Sequence, residues 1–321
     1  MPELPEIEVL ARHLRPLLRG KFIRGVNVWR AKVLSPTAPR KFRRVLLGAK
    51  FTGLSRRGKY LLFQLRSKGT APPVSLLGHL GMTGRMFLAR KNERLPKHAA
   101  VVLDLGGDNF IYEDPRYFGR LTLDTTATQK LGPEPLSDDF QPVKFREALK
   151  RSRQAVKIRL LDQKLVAGVG NIYASEALFR ARLSPRLAAN RLTTAQVKRL
   201  WRAIRVVLAE AIACGSTVPL KFGAGKTDGL FYFGRAPGAP NFYGERLRVY
   251  DRAGKPCPNC RRPVQRIVQA ARSTFYCPHC QRVCPNHYDP AWRAVLMVNC
   301  FFALIPVRVR VAQIATVSSY D

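Results

Sequence analysis

Apolar residues recur at helical spacing between Glu6 and Leu18, at Ile7, Leu10, Ala11, Leu14, Leu17 and Leu18, and Gly20 stands where such a helix would close. The period then changes. Short runs rich in β-branched and aromatic residues cover Phe22–Trp29, Tyr60–Leu65, Val74–Leu80, Ala99–Leu105, Phe110–Glu113 and Arg120–Leu123, separated by Gly, Pro and Asp turns. Many short strands with frequent turns predict a β-sandwich or barrel. Asp124–Pro142 is polar and proline-bearing, through Gly132-Pro133-Glu134-Pro135, and a domain boundary is expected there.

Helical spacing returns beyond it. Thr194 is placed to cap a helix through Ala213, with Val197, Leu200, Trp201, Ile204, Val207, Leu208, Ala211 and Ile212 on one face. Lys198, Arg199, Arg202 and Arg205 fall on the other face, and Gly215 stops the run. Upstream, a helical pattern over Lys157–Leu165 breaks at Gly168-Val169-Gly170-Asn171 and resumes at Ile172–Ala181. Two helices joined by a glycine-rich turn fit a helix-turn-helix DNA binder or an ordinary helical hairpin. In the first case, N–H groups at the second helix start could hold a phosphate. Gly223-Ala224-Gly225-Lys226-Thr227 is not a P-loop, because position 220 is Leu220 and no strand signal precedes it; a flexible basic loop is expected. Ala294–Val307 is apolar, but it is too short to cross a bilayer and contains Asn299 and Pro306.

Charge narrows the class of partner. Lys+Arg number 56 against 21 Asp+Glu, a net charge of +35 spread along the whole chain. Such a field attracts polyanions, with affinity that falls steeply with salt. Nucleic acid is the leading partner, although a ribosomal or membrane-surface role would also fit the charge alone. The first twenty residues mix Glu3, Glu6 and Glu8 with Arg12, Arg15 and Arg19 and hold no unbroken apolar stretch, so no signal peptide is expected. In a cytoplasmic protein the seven cysteines read as metal ligands before disulfides.

Two motifs carry chemistry. Cys257-Pro-Asn-Cys260 and Cys277-Pro-His-Cys280 are two C-x-x-C pairs with residues 261 to 276 between them, the spacing of a zinc ribbon. Four thiolates close a tetrahedral Zn²⁺ site and leave no open catalytic position. Cys284 and His287 are surplus to it, and Cys214 and Cys300 have no evident partner. The chain begins Met1-Pro2-Glu3-Leu4-Pro5-Glu6. Removal of Met1 would leave a secondary amine, and an α-amino group titrates near 8, so an appreciable fraction is neutral and nucleophilic at pH 7. Its adduct with a carbonyl-like carbon is a cationic iminium, an electron sink suited to elimination. The plainer reading is that Pro2 and Pro5 rigidify the entry to a helix.

The motifs together resemble the formamidopyrimidine-DNA glycosylases, bacterial enzymes that excise oxidised purines. The resemblance rests on Pro2–Glu6, Arg57-Gly58-Lys59-Tyr60-Leu61-Leu62, His79-Leu80-Gly81-Met82 and Asp114-Pro115-Arg116-Tyr117-Phe118-Gly119, in that order. It continues through Leu131-Gly132-Pro133-Glu134-Pro135-Leu136, Val169-Gly170-Asn171-Ile172-Tyr173-Ala174-Ser175-Glu176 and the zinc ribbon with Arg272. Leu4 favours this purine-lesion branch over the related endonuclease VIII branch. The resemblance implies an α+β multidomain fold: an N-terminal β-sandwich carrying the catalytic N-terminal helix (1–132), a helix-two-turn-helix domain (133–247), a C-terminal zinc ribbon (248–282) and a tail of no assigned role (283–321).

It further implies a bifunctional DNA glycosylase and AP lyase with one structural Zn²⁺, held by Cys257, Cys260, Cys277 and Cys280. Such an enzyme would act in the cytoplasm as a monomer, without a membrane partner, on double-stranded DNA containing oxidised bases. Pro2 would attack C1′ and Glu3 would protonate the ring oxygen. Glu6 would support the amine or the flipped base, and Lys59 and Arg272 would assist proton transfers and grip phosphates beside Asn171. Met82, Arg116 and Phe118 would fill the hole left by the flipped nucleotide. Without the resemblance, Met82 and Phe118 would read as core residues. His79, His98, Arg153 and Lys157 would lie along the DNA. The family's usual lysine before the helical motif is replaced by Ser152, with Arg151 and Arg153 beside it. The segment Thr217–Gly244, which lies over the flipped base in relatives, departs from the family pattern. A pyrimidine-lesion glycosylase and a non-catalytic damage-binding protein are the alternatives.

Overall fold

The first helix, α1 (Leu4–Leu18), starts two residues before the periodic pattern does. Pro5 suits the first helical turn, where its missing N–H has no partner to lose. Glu6 reaches back to accept the Glu3 N–H at 2.8 Å, one half of a capping box. Leu17 is 37 % exposed, so the apolar face is narrower than the spacing suggests. The computed structural model describes residues 2–67, 72–216 (backbone only at 215–216) and 247–282. The expectations for Thr217–Gly244, Gly223–Thr227, Cys284, His287, Cys300 and Ala294–Val307 lie outside the described residues.

Eight strands follow α1: β1 (Gly25–Val28), β2 (Lys50–Arg57), β3 (Tyr60–Arg66), β4 (Val74–His79), β5 (Arg85–Arg90), β6 (Ala99–Asp104), β7 (Asp108–Glu113) and β8 (Arg120–Thr122). They form two antiparallel four-stranded sheets, ordered β1-β6-β7-β5 and β2-β3-β4-β8. The sandwich is as expected, but β2 and β5 were not. A bulge between Phe51 and Gly53 breaks the period of two in β2. β5 buries only Met86 and Leu88 and is bounded by Arg85 and Arg90. Helix α2 (Pro39–Leu46) was also unannounced, since only Phe42 and Leu46 in it are buried.

The remaining helices are α3 (Thr126–Gln129), α4 (Pro142–Lys150), α5 (Val156–Leu160), α6 (Asn171–Arg180) and α7 (Thr194–Ser216). The helix expected over Lys157–Leu165 stops at Leu160. There, Asp162 and Gln163 side chains accept the Lys164 and Gly168 N–H groups, both at 2.9 Å, and bend the chain into the turn before α6. Helix α7 is capped by Thr193 and not by Thr194. The Thr193 hydroxyl accepts the Gln196 N–H at 3.3 Å, and Gln196 returns the bond to the Thr193 N–H at 2.8 Å. A hairpin of β9 (Gln265–Gln269) and β10 (Arg272–Tyr276) closes the described chain. Among the described residues no helix is long and apolar enough to cross a membrane.

Three apolar cores explain how these parts are joined. Ile7, Leu10, Ala11, Leu14 and Leu18 of α1 pack with Phe51, Phe63, Phe110 and Tyr112 between the sheets. Leu4, one turn earlier on the same helix, belongs to the helical core with Val169, Tyr173, Leu178, Leu200 and Ile204. Phe179 of α6 packs with Val249, Val264 and Phe275 of the ribbon. The start of α1 is therefore fixed by the helices and its remainder by the sandwich, which places Pro2 and Glu3 at the junction.

Candidate active site and DNA interface

Glu3 is 1 % exposed, and its carboxylate accepts the Ile172 N–H at 2.9 Å and the Tyr173 N–H at 3.4 Å. These are orphan donors in the first turn of α6, where the helix dipole also favours negative charge. Gly170 makes that approach possible: a Cβ there would lie 2.3 Å from Glu3 Cδ. The Leu4 N–H donates to Gly168 O at 3.1 Å, so the glycine-rich turn holds the chain start by backbone as well. The Tyr173 hydroxyl donates to Glu6, whose other oxygen holds the Glu3 N–H. Burial, and then the charge of Glu3, push the Glu6 carboxyl up to about 6.

Lys59 reaches the same place from the β2–β3 turn, in which Arg57 pairs with Tyr60. The linker after the sandwich pins that turn. Glu134 accepts from Arg56 at 2.7 Å, Arg57 at 3.1 Å and the Gly58 N–H at 2.6 Å. Burial lowers the Lys59 ammonium below its ordinary value. The Glu3 and Glu6 carboxylates oppose that shift and the Arg272 guanidinium adds to it. Lys59 thus lies in the fields of Glu3, Glu6 and Arg272.

Lys157 is fully buried, and its ammonium donates to Asn171 Oδ1, to Ser273 O at 3.1 Å and to the Thr274 hydroxyl at 2.6 Å. These bonds tie the start of α6 to β10. Burial brings it down to about 8. Asn171 Nδ2 donates to Ser273 O at 2.9 Å, and Arg272, next in β10, is exposed. Glu176 accepts the N–H groups of Arg248, Val249 and Tyr250 at 3.0, 2.9 and 2.8 Å, which docks the ribbon on α6. Tyr250 itself bonds the Asn171 side chain and senses the Glu3 charge; burial raises its phenol above the ordinary value. No spacing in the sequence marks Tyr250, which stands alone before the first cysteine pair.

A second group lies on two touching turns of the sandwich. Met82 is 42 % and Phe118 54 % exposed, which excludes the core reading for both. The Arg116 guanidinium stacks over the Phe118 ring at 4.8 Å. Gly81, at φ +61°, allows the contact, because a Cβ there would lie 2.6 Å from the Gly119 N. Fully buried Asp114 organises both turns. It accepts the Gly119 N–H at 2.8 Å, the Arg116 N–H at 3.3 Å and the Thr83 hydroxyl at 2.8 Å. His98 contributes its carbonyl to the Asp114 N–H at 3.2 Å. His79 packs on Tyr60 and accepts the Gly81 N–H on Nδ1 at 3.2 Å. Burial, and then the Lys59 charge, bring His79 down to about 4, so the ring is neutral and its Nε2–H is the donor left over. Arg153 is exposed just after α4.

The four cysteines of the ribbon meet as their spacing predicts. Their Sγ atoms all lie within 4.8 Å of one another, with pairs at 3.9 Å (Cys257–Cys280) and 3.4 Å (Cys260–Cys277). A tetrahedral Zn²⁺ with bonds near 2.3 Å needs sulfurs roughly 3.8 Å apart, so the set fits one structural zinc ion. Gln281 locks the second knuckle, accepting the Cys277 N–H and donating to Leu183 O, both at 2.9 Å.

The three parts of the chain that carry these residues each match a known family model. Residues 1–121 match the model of the formamidopyrimidine-DNA glycosylase N-terminal domain, 131–221 its H2TH domain, and 254–283 the zinc finger found in FPG and IleRS. The chain is 42 % identical to the formamidopyrimidine-DNA glycosylase of Phenylobacterium zucineum over 304 residues, 88 % of this chain and 100 % of that one. Among solved structures it resembles Lactococcus lactis Fpg (MutM) bound to DNA containing N7-benzyl-Fapy-dG, with TM-score 0.76 and 32 % identity over 88 % of this chain and 100 % of that one. It also resembles the Lactococcus lactis Fpg complex with DNA containing an abasic site, with TM-score 0.75 and 31 % identity over 87 % and 99 % of the two chains. A chain that matches such relatives over nearly their whole length belongs to the formamidopyrimidine-DNA glycosylase family of DNA-repair enzymes.

Proposed function

We propose that the protein is a bifunctional glycosylase and AP lyase that removes oxidised purines, 8-oxoguanine and formamidopyrimidines, and cuts the strand on both sides of the vacated sugar. The observation that carries this reading is the buried Glu3 carboxylate, held by two α6 N–H groups one residue from Pro2. With Met1 removed, the Pro2 amine passes its proton to Glu3 and attacks C1′ as the base leaves. Glu3 returns a proton to the ring oxygen and the sugar opens as an iminium. Loss of a C2′ proton then expels the 3′-phosphate, and a second elimination expels the 5′-phosphate. Lys59, whose ammonium burial lowers below its ordinary value in the field of Glu3, is suited to these proton transfers.

Arg272, Asn171, neutral His79 and exposed Arg153 serve as phosphate contacts, and His98 supports the wedge turn. Lys157 acts on phosphate through Asn171. Met82, Phe118 and Arg116 fill the stack once the nucleotide is flipped. The zinc ribbon holds β10 and with it Arg272. The enzyme works as a monomer on chromosomal DNA in the bacterial cytoplasm.

The test is product analysis on end-labelled duplexes carrying 8-oxoguanine opposite cytosine, a formamidopyrimidine, or an oxidised pyrimidine. The proposal expects a one-nucleotide gap with phosphate on both ends from the two purine lesions. Faster release of the oxidised pyrimidine would refute the lesion assignment. Base release that leaves the strand intact would refute the lyase step.

A further inference from the structure

Helix α2 carries its cations on one side only. At about 100° per residue, Arg43, Leu47, Arg40, Arg44 and Lys41 follow one another around an arc of roughly 160°. All five are exposed, while Phe42 and Leu46 are fully buried on the opposite side. Among the described residues, none of the four cations is in an ion pair. The acids of the same sandwich that do pair, Asp104, Asp108 and Glu113, are engaged by Lys91, Lys21 and Arg85. The helix has no acid in its first turn. Like charges one turn apart, and cations at a helix N-terminus, both destabilise an isolated helix. A polyanion laid along this side relieves both.

This side is remote from the cleft. α2 packs on β1 and the 3-10 turn Ala31–Leu34, and its end leads through Ala49 into Lys50. Lys50 opens β2, while Arg57, at the active-site end, closes it, a span of about 23 Å at some 3.3 Å per residue. At that pole the Lys50 ammonium sits 5.3 Å over the exposed Phe22 ring. A row of cations without a pocket suits evenly spaced phosphates and not a single bound anion.

We propose that the outer side of α2 is a second DNA surface, which holds the backbone of a duplex segment other than the one in the lesion cleft. It would let the enzyme keep hold of one segment while the cleft samples another. The assignment does not depend on the Pro2 chemistry.

The cleft is first saturated with a short unlabelled duplex carrying a tetrahydrofuran abasic analogue, whose retention is followed through its own dye. Binding of a longer undamaged fluorescent duplex is then read by anisotropy over a salt series. The wild type binds the second duplex. The variant R40Q/K41Q/R43Q/R44Q binds it about tenfold or more weakly, and the slope of log K against log salt falls by about 2 to 4. R40Q/R44Q falls between the two, which guards against a folding artefact, as do unchanged zinc content and Tm. Excision from a short lesion duplex is unchanged in both variants. Three results overturn the proposal: no second duplex bound by the saturated wild type, equal binding by the quadruple variant, or an equal loss on the short lesion duplex. Preference for a structured RNA of the same length and charge would overturn the DNA assignment.

Discussion

Replacing Gly170 with alanine probes the most crowded contact in the site. The added Cβ would lie 2.3 Å from Glu3 Cδ and 2.5 and 2.7 Å from its two oxygens. Non-bonded carbons settle near 3.5 Å, so the carboxylate must retreat by about 1.2 Å. That movement breaks or stretches its bonds to the Ile172 and Tyr173 N–H groups at 2.9 and 3.4 Å. Hydrogen bonds to a charged group contribute about 1.5–3 kcal/mol each, and water entering the gap recovers part, so a stability loss of about 2–4 kcal/mol is expected. Displacing a reacting group by about 1 Å costs on the order of 100-fold in rate. Single-turnover excision by Gly170→Ala should therefore fall about 100-fold or more, with little change in affinity for an abasic-analogue duplex. In an E3A background the crowding is absent, and the stability cost of Gly170→Ala should shrink by about 1.5 kcal/mol or more in a double-mutant cycle. Excision within threefold of wild type, or the same cost in both backgrounds, would refute the reasoning.

Other perturbations follow from neighbouring contacts. Glu6 is raised from 4.5 to about 6, so its contribution to stability is full below pH 4.5 and fades as pH rises through about 6, a difference of at most about 2 kcal/mol. In thermal melts wild type should therefore lose stability relative to Glu6→Gln as pH rises from 4.5 to 7; parallel curves would contradict the assignment. Asp114→Asn leaves the Gly119 and Arg116 N–H groups poorly paired in a buried turn, and should cost about 2–4 kcal/mol by denaturant unfolding. It should also slow excision more than it weakens binding to undamaged DNA. Stripping zinc, or Cys260→Ser, should unfold the β9–β10 hairpin and with it the Arg272 and Asn171 contacts. Loss of one zinc per chain should parallel loss of excision, and an active metal-free protein would contradict the role given to the ribbon.

Much of the fold was legible where one periodicity held over a whole element. Helix α1 and the long apolar face of α7 announce themselves, as do the cysteine pairs. β2 was hidden by its bulge at Phe51–Gly53, and α2 by having only two buried residues. The early end of α5 depends on Asp162 and Gln163 side chains taking backbone partners, which apolar spacing does not register. In the site, single motifs mark Glu3, Lys59, Met82 and the cysteines. The resemblance sets Lys157 along the DNA, and only the fold reveals it as a buried tie between α6 and β10. Glu134 and Glu176 lie in recognisable motifs, yet their work is to fasten the Lys59 turn and the ribbon, through partners 76 to 78 and 72 to 74 residues away. Long-range tertiary contacts of that kind leave no local pattern.

The proposed nucleophile is the Pro2 amine freed by removal of Met1 and aligned by Glu3. Borohydride added during turnover of an 8-oxoguanine duplex reduces an iminium to a stable amine, and peptide mass mapping then locates the cross-link. The account predicts a protein–DNA adduct on the N-terminal peptide at Pro2, abolished when the amine is blocked or Met1 is retained. An adduct on Lys59 or another lysine, or excision at an undiminished rate by the blocked protein, would contradict it.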